Sequence, residues 1–145
     1  MRKTLIFTVC AIALSQFLIQ PAVQSGQNLG SGAGLTRLYR SGTIEYINGD
    51  VEAVQNLVPT NLNHEWQIVI LDSNKSSISI YVAPMWYLNS QNFSIEEDDF
   101  IKVKGSRVLI DGSAAIIAGE IWVGNDFLKL RNKIGIPVWQ GDGRN

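Results

Sequence analysis

Phe100-Ile101-Lys102-Val103-Lys104-Gly105-Ser106, running on through Val108-Leu109-Ile110 to Asp111-Gly112 and then from Ala114 to Val123, is the stretch on which the fold turns. Ile101 and Val103 alternate with Lys102 and Lys104, the period of two that puts apolar side chains on one face of a strand and charges on the other. Asp111-Gly112 is the residue pair a tight hairpin demands, because both central positions of the favoured turn need positive φ. A two-stranded hairpin is therefore predicted, with Gly105 placed where a strongly coiled strand would bend.

Upstream, the same period recurs. Ile78, Ile80 and Val82 alternate with Ser77, Ser79 and Tyr81, while Trp66 to Leu71 is apolar apart from Gln67, as a strand covered on both faces would be. Asp72-Ser73-Asn74-Lys75 turns one into the other. Thr43 to Ile47 alternates as well, with Ile44 and Tyr46 on one face. Between it and Trp66 the reading expects a long connection, about Asn48 to His64. Pro84-Met85-Trp86-Tyr87-Leu88 suits one or two helical turns started by Pro84. Gly124-Asn125 starts a further turn into Phe127 to Arg131, and Ile136-Pro137-Val138-Trp139 closes the ordered part. Three strands, a helical link, a two-stranded hairpin and an appended strand predict an all-β fold. The expected form is a five-stranded barrel like that of oligonucleotide/oligosaccharide-binding (OB) domains, with a short helix between strands 3 and 4 and an extra C-terminal strand.

Trp86-Tyr87-Leu88, Val103-Lys104-Gly105-Ser106, Ala115-Ile116-Ile117-Ala118 and Leu130-Arg131-Asn132, with Pro137-Val138-Trp139, resemble small exported bacterial OB-fold proteins. The likeness extends to the periplasmic bacterial OB-fold group and to OB domains of magnetosome-associated proteins. It implies an accessory module and brings no catalytic residue with it. Some such relatives carry c-type haem, but this chain has no Cys-x-x-Cys-His, so covalent haem is not expected.

Compartment is read from the other end of the chain. Arg2 and Lys3, an apolar run from Thr4 to Ile19, Pro21 and the small residues Ala22, Val23, Ser25 and Gly26 read as a secretory signal, with residues 1–25 removed. The run is short of the roughly 20 apolar residues of a spanning helix, so no stable membrane span is expected after cleavage and the location is periplasmic or secreted. Glycine-rich residues 26–40 are read as a flexible leader, residues 41–140 as the folded domain and 141–145 as a tail. Cys10, the single cysteine, leaves with the signal, and no disulfide or thiolate chemistry remains. The mature chain would hold 10 basic residues against 13 acidic ones, a net charge of −3. Such a balance exerts no long-range pull on phosphate polymers, and nucleic acid is not the expected partner.

The chemistry-bearing residues point to binding. His64 is the sole histidine and has no spaced His, Cys or Asp set around it, so neither a metal, a cofactor nor a catalytic triad is expected. Glu96-Glu97-Asp98-Asp99 lacks the spacing and central glycine of a calcium loop and is read as a solvated turn. Alternation puts Lys102 with Lys104 on one strand face and Lys129, Arg131 and Lys133 on another, a basic stripe if the two adjoin. Trp66 is expected in the core; Trp86, Tyr87, Trp122 and Trp139 are expected to be either core cover or exposed contact groups. Asn61 and Asn63, with His64, would sit in the long first loop, the kind of element that carries recognition. The expected function is a non-enzymatic accessory or scaffolding protein contacting another exported protein or a multi-subunit complex. The alternative is a module for an oligosaccharide or small anion, held by Lys102, Lys104, Lys129 and Arg131.

Overall fold

The computed structural model describes residues 31–58 and 64–140. The segment read as a signal, Asn61, Asn63 and residues 141–145 lie outside them. Helix α1 (Ser31–Leu38) leads into strands β1 (Ile44–Leu57), β2 (Trp66–Ser73) and β3 (Ser76–Pro84). Helix α2 (Met85–Ser90) follows, then β4 (Phe100–Ile110), β5 (Ser113–Val123) and β6 (Asp126–Lys129). Strand order is β3-β2-β1-β4-β5-β6, and β3 also pairs in parallel with β5 through Ser79–Ala115, Ile80–Ile116 and Tyr81–Ile117. That last pairing closes a five-stranded barrel, leaving β6 outside the ring and α2 between β3 and β4, the OB-like architecture expected.

The predicted hairpins form. Asn74 and Lys75 both adopt positive φ between β2 and β3, and Asp111 and Gly112 do so between β4 and β5. Closure requires β4 to coil, and the coil is visible as a register shift in the β4–β5 pairing between Lys104 and Gly105. A Cβ at Gly105 would collide with the Ile117 carbonyl oxygen, so the glycine is demanded by close approach of the two backbones.

Val69, Leu71, Ile80, Val82, Ile101, Val103, Ile116 and Ile121 fill the barrel, with Leu88 of α2 packed against them. A second apolar cluster lies apart from it: Trp66, Ile110, Ala115 and Ile117, covered by Leu35 of α1. Successive residues Ile116 and Ile117 therefore go to different clusters, and both are fully buried. That explains the unbroken apolar run of β5 and the Trp66 start of β2.

Two expectations need correction. Residues 31–38, read as part of a flexible leader, are helical, and Leu35 is 3% exposed. Leu35 is buried with Trp66, Ile110, Ala115 and Ile117, neighbours that only the closed barrel brings together. The supposed long loop from Asn48 is mostly strand: β1 runs 14 residues, pairing with β4 over Ile44–Asp50 and with β2 over Asp50–Leu57. Its alternation is hidden because the register shifts between Val51 and Ala53, which breaks the period of two. Glu96–Asp99 is a tight turn as read, with the Glu96 N–H donating to the Asp99 carboxylate at 2.8 Å, and it is tied to β1 by the Val51 N–H donating to the Asp99 carbonyl at 2.9 Å.

Candidate functional site

The register of β1, β4, β5 and β6 builds one face from four strands. Tyr46 stands opposite Lys104, Asn48 opposite Lys102, Lys102 opposite Trp122, and Trp122 opposite Phe127. Residues directly across an antiparallel pair share a face, so these side chains stand together on the outside of the barrel. Trp122 lies between Tyr46, 6.4 Å away, and Phe127, 5.1 Å away, by ring centroids. The Lys102 ammonium sits 5.0 Å from the Tyr46 centroid and 5.4 Å from that of Trp122, within cation–π range of both. Tyr46 and Phe100 are each 60% exposed and Phe127 is 51% exposed, so the face is open to contact.

Lys104 belongs to the same strand face but is engaged differently. Its ammonium pairs with Glu120 at 3.5 Å, and the Glu120 carboxylate raises its pKa, as does Tyr46. Lys129, opposite Glu120, extends the face along β6. Lys102 and Lys104 thus share the face, and Lys129 lies beyond Glu120, which separates it from Lys104.

Arg131 does not join them. The N–H groups of Leu130 (2.8 Å) and Arg131 (3.0 Å) both donate to the Gly119 carbonyl, so the chain advances one residue without a new partner and the alternation slips. Leu130 enters the core, and Arg131 is buried too, 2% exposed. Its guanidinium lies 5.4 Å from the Tyr39 centroid and 5.7 Å from that of Trp139. Nη1 donates to the Gly135 carbonyl at 2.9 Å and to Thr36 Oγ1 at 3.3 Å. Burial lowers the Arg131 pKa to about 10, against the opposing pull of the Tyr39 phenol, whose own pKa burial raises. Tyr39 rests on two glycines: a Cβ on Gly119 would stand 2.5 Å from its hydroxyl, and one on Gly135 would overlap its ring.

The remaining aromatics form a second group. Trp139 is half-buried, edge-on to Trp66 at 5.7 Å and tilted on Tyr87 at 5.1 Å. Tyr87 in turn donates to the Lys129 carbonyl at 3.4 Å and meets Trp86 edge-on. Trp139 is thus a plug between the helical link and the tail, while Trp86 at the edge of that group is 46% exposed. His64 is exposed two residues before the start of β2. Reasoning from sequence missed Tyr46, Phe100, Phe127 and Tyr39. For Phe127 a signal existed: the tight Gly124-Asn125 turn sets it across from Trp122.

A cleft of about 630 Å³ adjoins the face at Tyr46 and Asn48 and opens between the start of β1, the β2–β3 turn and the β4–β5 turn. Glu45, Asn48, Ser77 and Arg107 line it, and none of the four predicted binding cations does.

Among the described residues no helix is long and apolar enough to cross a membrane. No curated protein matches the chain. The sequence profile of a family described as the MamS/MamX magnetosome protein family matches residues 43–128, from the start of β1 into β6, and so takes in the whole barrel and the aromatic face. The match spans more than half of the 145 residues, and the chain therefore belongs to the MamS/MamX magnetosome protein family.

Proposed function

We propose that this protein is a non-enzymatic accessory or scaffolding module, exported into the periplasm or an equivalent compartment, that docks onto another exported protein through the outer face of β1, β4, β5 and β6. One observation carries the reading: Tyr46, Trp122 and Phe127 form a contiguous series of mutually tilted rings, exposed at Tyr46 and Phe127, with Lys102 held over two of them. Large exposed aromatics around a cation are the composition of interface hot spots. Lys102 takes part in neither of the ion pairs found among the described residues. The occupant that complements the face is therefore a protein segment presenting apolar side chains around a carboxylate. The family's description as a magnetosome family supports an accessory role, and the N-terminal sequence supports export. The titratable pairs that the fold assembles, Lys104 with Glu120 and Arg107 with Glu45, bridge neighbouring strands, which suits a structural role.

The test is affinity purification of the tagged protein from its native envelope, comparing wild type with Tyr46→Ala/Phe127→Ala, Lys102→Glu and Trp86→Ala. A stoichiometric partner kept by wild type and Trp86→Ala, and lost from the other two, is the expected result. A partner retained by the double variant, or none with wild type, refutes the assignment.

A further inference from the structure

Beside the aromatic face, a cleft of about 110 Å³ is lined by Tyr39, Lys104, Glu120, Lys129, Arg131, Asn132 and Lys133 among others. Four cationic side chains meet there against one carboxylate, in a chain whose overall charge is negative. Its most telling member is Arg131. Nη1 has its partners in Gly135 and Thr36, yet Nε and Nη2 are buried and have no hydrogen-bond partner. Those two nitrogens are the side-on edge of the guanidinium, the fork that takes two oxygens of a single anion. Leaving such donors buried and unmet forfeits their hydration without return, so the arrangement calls for an acceptor. The rings of Tyr39 and Trp139 flank the guanidinium, and Gly119 and Gly135 make the room that Tyr39 needs.

We propose that this cleft is a binding site for a tetrahedral oxyanion of the phosphate or sulfate class, gripped at two oxygens by Arg131 Nε and Nη2 and enclosed by Lys129 and Lys133. Lys104 is already paired with Glu120 and contributes charge at the wall. Both lysines of the enclosure are exposed. The site borders the docking face through Lys104 and Lys129, but its anchor, Arg131, is not part of that face. Tyr39, Lys129, Arg131 and Lys133 lie outside the segment that matches the family, while Lys104, Gly119 and Glu120 lie within it.

Inorganic phosphate titrated into the full chain, followed through the Arg131 Nε–H resonance and the melting temperature, tests the assignment. Saturable changes are expected that sodium chloride of equal ionic strength does not reproduce, with the rise in Tm following ligand linkage. Lys129→Gln and Lys133→Gln, both at exposed positions, should each weaken phosphate about fivefold, the loss of one partly solvated charge contact, while the fold is retained. Arg131→Met should abolish binding; if it fails to fold, the lysine variants decide. A non-saturating response, the same response to chloride, or wild-type affinity in both lysine variants overturns the site. Glycerol phosphate run alongside distinguishes the source: exclusion of the ester assigns a free ion, and equal binding assigns a phosphate carried on a larger molecule.

Discussion

Leu35→Ala probes the contact that turns residues 31–38 from a leader into part of the fold. An eight-residue helix has no stability of its own in water, so α1 persists only through what it buries. Leu35 supplies the anchor, sealed against Trp66, Ile110, Ala115 and Ile117. Truncating a leucine this buried in a packed core costs about 2–5 kcal/mol. Here the upper end is out of reach, because a weakened α1 can detach, and the loss then stops at the whole docking energy. The chain beyond it is held by the Arg40 N–H donating to Ser106 Oγ at 2.9 Å, which survives detachment of the helix. The expected loss is therefore about 2–3 kcal/mol, the transfer of one leucine plus incomplete closure around Trp66. In urea this lowers the midpoint by roughly 1–2 M for a domain of this size. Trp66 fluorescence should shift to the red, and amide exchange in α1 should become fast while β4 and β5 stay protected. Arg37→Ala, exposed on the same helix, should fall within about 0.5 kcal/mol of wild type. A Leu35→Ala loss below about 0.5 kcal/mol would refute the reasoning, since no buried anchor is removed so cheaply.

Gly105→Ala should destabilise by about 2–4 kcal/mol, because the new methyl meets the Ile117 carbonyl on the partner strand and β4 must uncoil to clear it; thermal melting reads this directly. Burial raises the phenol pKa of Tyr39, Tyr81 and Tyr87. Their contribution to stability is full below the unfolded value of 10.0 and is lost as pH rises through the higher folded values, so ultraviolet titration should show delayed ionisation and weakening stability above 10.0. Normal ionisation of all the tyrosines in the folded protein would contradict the packing. Glu45→Gln removes the carboxylate that Arg107 pairs with, but the partners are 36% and 45% exposed, so a loss of no more than about 1 kcal/mol, shrinking with added salt, is expected in urea titrations at low and high salt.

Much of the barrel could be read from local chemistry. Asp111-Gly112 and Asn74-Lys75 mark turns through backbone preference, and Ile101 with Val103 or Ile78 with Ile80 mark inward faces through the period of two. Such signals need only near neighbours. The first loop was misjudged because β1 serves two partners, β4 and β2, with a register shift between Val51 and Ala53, and a shift of one residue erases the pattern that would reveal it.

The sequence by itself determined the class: strands from alternation, hairpins from turn residues, a helical link begun by Pro84, and too few basic residues for a general attraction to polyanions. Which side chains meet was decided by closure. Only the pairing of β4 with β1 and β5 brings Lys102 between Tyr46 and Trp122, 76 residues apart in sequence, and only the hairpin register sets Phe127 beside them. Arg131 is the clearest case. Alternation sends it outward with Lys129, but two N–H groups sharing the Gly119 carbonyl turn it inward, and Tyr39 from the other end of the domain covers it. Periodicity records the preference of a strand for its own two faces, whereas the slip at Gly119 and the cover by Tyr39 depend on neighbours far away in the chain, which no local pattern encodes.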